Sequence, residues 1–134
     1  RTYISKDDKG GIQVLCWNYT NIHPGIHINN QDFFNKDIPS RKKIQLQIDI
    51  TSIPNGRYEV LKYKTGYAYN DPYTQYIKDG ESRQLSKEEV AGLKKKSSLP
   101  PIASEMTVHE NKCSISQTLR ENDVILIMLR LLAE

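Results

Sequence analysis

The stretch KIQLQIDITSIPNGRYEVLKYKT, Lys43 to Thr65, sets the fold class. In its first half Ile44, Leu46, Ile48 and Ile50 alternate with Gln45, Gln47, Asp49 and Thr51. Successive side chains of a strand point to opposite faces, so Lys43 to Ile53 predicts a half-buried strand with one wet face. Pro54-Asn55-Gly56 then supplies turn chemistry: proline presets one backbone angle, and asparagine and glycine tolerate the left-handed region. Arg57 to Thr65 returns with Tyr58, Val60, Leu61 and Tyr63, which predicts a partner strand closing a hairpin.

The same pattern extends toward the start of the chain. Thr2 to Lys6, the turn Asp7-Asp8-Lys9-Gly10-Gly11 and Ile12 to Tyr19 predict another hairpin. In its second strand Ile12, Val14 and Cys16 share one face, and Leu15, Trp17 and Tyr19 share the other. Both faces are therefore expected to be covered, as in the middle of a sandwich or beneath another domain. Trp17, the one tryptophan, is expected in the core rather than on a ligand platform.

Toward the C-terminus, Glu105 to His109 and Cys113 to Leu119 flank a turn at Glu110-Asn111-Lys112, and Val124 to Leu131 follows Glu121-Asn122-Asp123. The run Val-Ile-Leu-Ile-Met-Leu is apolar on both faces, which predicts a central strand. Ser86 and Glu89 have the spacing of a capping box. A helix is predicted over Lys87 to Lys96, ending before Pro100-Pro101, with Lys94, Lys95 and Lys96 at its negative end. The fold class expected is all-β, an antiparallel sandwich of about seven to eight strands with one short helix.

Composition agrees with a folded chain. Apolar residues make up 37% and charged residues 26%, with a formal net charge of +3. At 134 residues the chain is long enough for a single domain spanning 1–134 and short for two. The positive charge is scattered and lacks an arginine stripe or an aromatic RNA-binding pattern, so no nucleic-acid partner is expected. No apolar run reaches the ~18 residues of a membrane span, and no membrane partner is expected. Cys16 and Cys113 are each placed in a strand, as two buried free thiols or as one bridge between strands; free thiols are the preferred expectation. The composition leaves the compartment open between cytoplasm and secretion.

One stretch resists the strand pattern. TGYAYNDPYTQYIKDGE, Thr65 to Glu81, holds Tyr67, Tyr69, Tyr73 and Tyr76, half of the eight tyrosines, around Asp71-Pro72 and is expected to be a loop. Tyrosine joins a large apolar ring to a polar tip, so the cluster suits either a wall docked against another protein surface or a platform for a sugar ring. Tyr67, Tyr69, Asp71, Tyr73 and Tyr76 are the candidate contact residues.

Reactive chemistry is harder to find. His23 and His27 have helical spacing, but Pro24 and Gly25 lie between them and no acidic or cysteine set accompanies them, so no metal site is expected. His109 is expected to be exposed beside a turn. No nucleophile motif and no glycine-rich phosphate cradle is present, and no cofactor is implied. Asp7, Asp32, Asp49, Asp71 and Glu81 have the residue type for glycoside chemistry but sit in expected turns or on wet faces. No catalytic residue is expected in this chain.

Four elements in order resemble a known family. GGIQVLCWNYT resembles a strand whose hydrophobic run ends in Trp-Asn-Tyr. DPYTQYIKDGESRQLSKEEVAGLKKKSS resembles a tryptophan-containing loop followed by a helix, with Leu85-Ser86 before the helix. ENDVILIMLRL resembles a closing strand. Together they resemble the C-terminal accessory β-sandwich of glycoside hydrolase family 39, the β-xylosidase family related to α-L-iduronidase. Tyr73 and Tyr76 stand where the family loop often has tryptophans, and Lys78-Asp79-Gly80 departs from its apolar residue before glycine.

In that family the catalytic glutamates belong to a (β/α)8 barrel. The resemblance therefore implies a non-catalytic domain of a retaining glycosidase, detached from a barrel that precedes it in the parent chain. The barrel is the implied partner, with Tyr67 to Tyr76 facing it and shaping the substrate rim. The alternative is an autonomous carbohydrate-binding module that takes xylo-oligosaccharide on the same tyrosines. An uncovered sheet edge and tyrosine patch would also favour weak homodimers.

Overall fold

The computed structural model describes residues 1–19, 43–80 and 84–132. Seven strands and two short helices follow in order: β1 Thr2–Lys6, β2 Ile12–Trp17, β3 Ile44–Thr51, β4 Gly56–Thr65, α1 Pro72–Lys78, α2 Lys87–Lys96, β5 Ile102–Val108, β6 Lys112–Leu119 and β7 Val124–Leu131. The expected all-β sandwich is present, built from antiparallel sheets. The stretch Thr20 to Ser40, with His23, His27 and Asp32, lies outside the described residues, as does Glu81.

The five-stranded sheet has the order β1-β2-β7-β4-β5, and β3 pairs with β6 in a second sheet. β7 occupies the centre of the larger sheet, as its two apolar faces predicted. The first hairpin also forms, with Thr2 opposite Cys16 and Lys6 opposite Ile12. Its turn is held by Asp7, whose carboxylate accepts from the backbone N–H groups of Lys9 at 2.9 Å and Gly11 at 2.7 Å. Gly10 takes a φ of 81° there, a conformation open to glycine at little cost.

The second expected hairpin does not form. β3 and β4 lie in different sheets, and the Ile53–Asn55 segment is an arch across the end of the core. Ile53 is buried, its N–H donates to the carbonyl of Asn111 at 3.3 Å, and the Tyr58 hydroxyl donates to the carbonyl of Pro54 at 3.0 Å. The outward faces give the physical reason. β3 turns Gln45, Gln47, Asp49 and Thr51 outward, whereas β4 carries Leu61 and Tyr63 opposite Met128 and Leu126 of β7. A strand with apolar residues on both faces, Tyr58 and Val60 on one and Leu61 and Tyr63 on the other, gains more by lying beside β7 than beside the half-wet β3.

The Glu110-Asn111-Lys112 turn is likewise a crossing, because it joins β5 of one sheet to β6 of the other. The two arches are bolted together where the Asn55 side chain accepts from the N–H of Asn111 at 2.8 Å.

The core lies between the sheets. Val14 and Cys16 of β2, Tyr58 and Val60 of β4, and Ile125, Ile127 and Leu129 of β7 meet Ile48 and Ile50 of β3 and Ile115 and Leu119 of β6. Each such valine, leucine or isoleucine side chain stabilises by about 1.5–3 kcal/mol relative to exposure. Both cysteines are free, Cys16 buried and Cys113 half-buried. Burial raises the Cys113 thiol above its ordinary pKa.

Trp17 is not in this core. It is half-buried on the opposite face of the larger sheet, where Leu15 and Tyr19 are exposed. Among the described residues, that face of β2 is not fully covered, contrary to the expectation from its apolar pattern.

Candidate functional site

The tyrosine stretch is an arm between β4 and β5, and it contains a helix rather than a loop throughout. The signal for α1 was present in the sequence. Asp71 is an N-cap and Pro72 is the first helical residue, a pairing that satisfies orphan N–H groups and presets φ. The Asp71 carboxylate accepts from the N–H of Tyr73 at 3.0 Å, from the N–H of Thr74 at 3.2 Å and from the Thr74 hydroxyl. The second helix matches its predicted span, and both bonds of the Ser86–Glu89 capping box are made.

Where the arm leaves β4 it is pinned by a residue that pattern reading passed over. Asp123 is 1% exposed in the β6–β7 turn, so its charge needs partners. It accepts from the backbone of Tyr67 at 3.1 Å and of Arg120 at 2.9 Å, and pairs with Lys64 Nζ at 2.9 Å. A Cβ on Gly66 would fall 1.9 Å from an Asp123 oxygen, so the carboxylate approaches this closely only because residue 66 is glycine.

The neck of the arm is closed by two side chains. Asn70 donates to the carbonyl of Lys64 at 2.9 Å and accepts from the N–H of Leu99 at 2.6 Å, and the Tyr69 hydroxyl donates to the carbonyl of Pro100 at 3.1 Å. The arm is thus attached at both roots.

The four tyrosines do not form one platform. The Tyr67 ring receives the Arg120 guanidinium at 3.7 Å and the Lys78 ammonium at 5.4 Å, so it takes part in cation–π contact within the chain. Tyr69 serves the neck. Tyr76 is half-buried and lines a cleft of about 230 Å³ between the helices with Leu85 and Leu93. Tyr73 is exposed on α1. A neighbouring cleft of about 270 Å³ is lined by Thr74, Gln75, Lys78, Lys95 and Lys96.

The other candidate side chains are engaged locally. Asp7 and Asp71 accept backbone N–H groups in a turn and a cap, and Asp49 accepts from the Ser114 hydroxyl on the wet sheet face. His109 is exposed beside its turn. Among the described residues, no group of three or more His, Cys, Asp or Glu is placed to hold a metal ion. No helix among them is long and apolar enough to cross a membrane. What the arm and sheet faces offer is contact surface: stacked and apolar side chains fixed on a rigid frame.

No family model matches the chain, and no curated protein matches it in sequence. Solved structures do. The glycoside hydrolase family 39 enzyme from Xanthomonas axonopodis pv. citri superposes with a TM-score of 0.81 at 25% identity, over 98% of this chain and 26% of that one. A monomeric β-xylosidase from Caulobacter crescentus CB15 gives the same values. A bacterial orthologue of human α-L-iduronidase shares the fold at a TM-score of 0.64 and 10% identity, over 96% of this chain and 21% of its own. Over nearly all of its length, the chain is similar to one part of family 39 glycosidases, a part that makes up about a quarter of those chains.

Proposed function

We propose that the chain is a non-catalytic accessory domain of a family 39, β-xylosidase-like glycosidase, which packs on the catalytic barrel, stabilises it and shapes the rim of its substrate pocket. The observation that carries this reading is the asymmetry of coverage: 98% of this chain lies on 26% of a family 39 enzyme. The remaining three-quarters of such an enzyme is large enough to hold the barrel and its glutamates. The Caulobacter relative is monomeric, which favours a partner within the same polypeptide over a second copy. The rim role falls to the arm, because Asp123 and Asn70 anchor its roots while Tyr73 stays exposed on α1.

The competing reading is an autonomous module for xylan-type sugars using Tyr67, Tyr69, Asp71, Tyr73 and Tyr76. Engagement of the Tyr67 ring by Arg120 and Lys78, of the Tyr69 hydroxyl by Pro100 and of Asp71 by the α1 cap counts against a shared stacking plane. Deleting residues 1–134 from the full-length gene product is expected to lower its thermal stability, and the deleted piece alone should not hydrolyse an aryl xyloside. Titrating that piece with xylo-oligosaccharides should leave the Trp17 and tyrosine NMR signals unmoved. Saturable shifts at Tyr73 would establish the module instead, and xyloside hydrolysis by the piece alone would overturn both readings.

A further inference from the structure

The middle of the outer face of the five-stranded sheet is apolar in the pattern of a buried one. Strand register places Tyr3 of β1 opposite Leu15 of β2, Leu15 opposite Leu126 of β7, and Leu126 opposite Tyr63 of β4. This is one continuous apolar row across four strands, all on the side away from the core. The next row on one side holds Trp17 and Val124 beside Thr65, and the next on the other holds Met128, Leu61 and Ala103 beyond Ser5 and Gln13. Several of these side chains are open to solvent: Tyr3 is 72% exposed, Tyr63 41%, Val124 40% and Leu15 38%.

A sheet face of this composition ordinarily carries a second layer, and a contiguous apolar patch on a soluble domain marks a contact surface. The charges at its edge indicate what kind of layer fits. Glu59 and Glu105 are opposite one another, and each has its own arginine: Arg130 lies 3.8 Å from Glu59 and Arg57 lies 2.6 Å from Glu105. The rim therefore asks for no countercharge, and the centre of the patch offers none. The complementary surface is uncharged and apolar, the pattern of a permanent contact.

Resting on the accessory-domain reading above, we propose that this face, centred on the row Tyr3–Leu15–Leu126–Tyr63, is the surface on which the catalytic part of the same polypeptide docks. Solved chains with this fold run about four times its length, so a domain large enough to cover the whole face is available within one polypeptide. The face supplies the contact area, and the arm that leaves β4 two residues beyond Tyr63 extends past its end.

Hydroxyl-radical footprinting of the full-length gene product, normalised to the same protein unfolded in urea, tests this. Docking is expected to protect Tyr3, Trp17, Tyr63 and Met128 together by at least about fivefold, as in a permanent interface core. Labelling of Tyr3 and Tyr63 at the rates their present exposure implies, with Tyr73 protected, would overturn the face and leave the accessory reading intact. A gene product with no further domain would overturn both. Protection that grows with protein concentration alongside a dimer in sedimentation would assign the face to a second copy and overturn the proposal.

Discussion

The two sheets of this molecule turn opposite surfaces to the outside. On the small sheet the outward rows are Gln45 opposite Thr118, Gln47 opposite Ser116 and Asp49 opposite Ser114, short polar pairs linked by side-chain hydrogen bonds such as Ser116 Oγ to Gln47 Oε1 at 2.7 Å. On the large sheet the corresponding rows are Tyr3, Leu15, Leu126 and Tyr63, then Gln13, Met128 and Leu61. Both sheets bury their inner faces in one shared core, so the difference does not come from the core. A sandwich can thus bury both inner faces in one core and still turn a polar surface outward on one side and a largely apolar one on the other.

The comparison makes its largest prediction across β7, where neighbouring residues face opposite ways. Ile127→Ala removes a fully buried side chain and should cost about 2–5 kcal/mol in urea unfolding. Met128→Ala, on the half-buried outer face, should cost about 1 kcal/mol or less in the isolated chain. Equal losses would mean that the outer face is already covered, and the comparison would fail. Smaller still, Ser116→Ala on the polar face should lie within about 0.5 kcal/mol of wild type. A larger loss would make the hydroxyl ladder a stabilising network rather than a solvated face.

Cys113, on the half-buried edge of the core-facing side of β6, gives the smallest effect. Burial raises its thiol pKa. The unfolded chain therefore ionises first, and stability should decline as pH rises past the ordinary thiol value near 8.5, with the loss complete once the folded thiol also ionises. Iodoacetamide should modify Cys113 slowly at neutral pH and faster above that range. Modification at neutral pH as fast as that of a free thiol would show that this side of β6 is open.

How much was legible depended on how local the signal was. The first hairpin, the capping-box helix and the central position of β7 follow from residues within a few positions of one another or from a strand apolar on both faces. The hairpin expected at Pro54-Asn55-Gly56 failed because turn residues specify a bend without specifying the sheet in which the chain continues. The clue was longer-range: the outward face of β3 is polar throughout, whereas that of β4 holds Leu61 and Tyr63 between its charged and polar ends. Helix α1 was missed despite its Asp71-Pro72 start and the i, i+4, i+7 spacing of Tyr69, Tyr73 and Tyr76, because at seven residues it is too short for a periodic pattern to stand out from a turn. The pinning role of Asp123 had no sequence signal, since Lys64, Gly66 and Tyr67, which it holds at the root of the arm, are more than fifty residues away.

Sequence alone determined the all-β class, most strand positions and the cap of α2, because side-chain alternation and capping act over two to four residues. Tertiary structure decided which strands pair, that both turns flanking the core are arches, and that Trp17 and Leu15 lie on an outer face. Those outcomes depend on which apolar face meets which. Burial rewards that match only when strands distant in the chain come together, a choice no local pattern encodes.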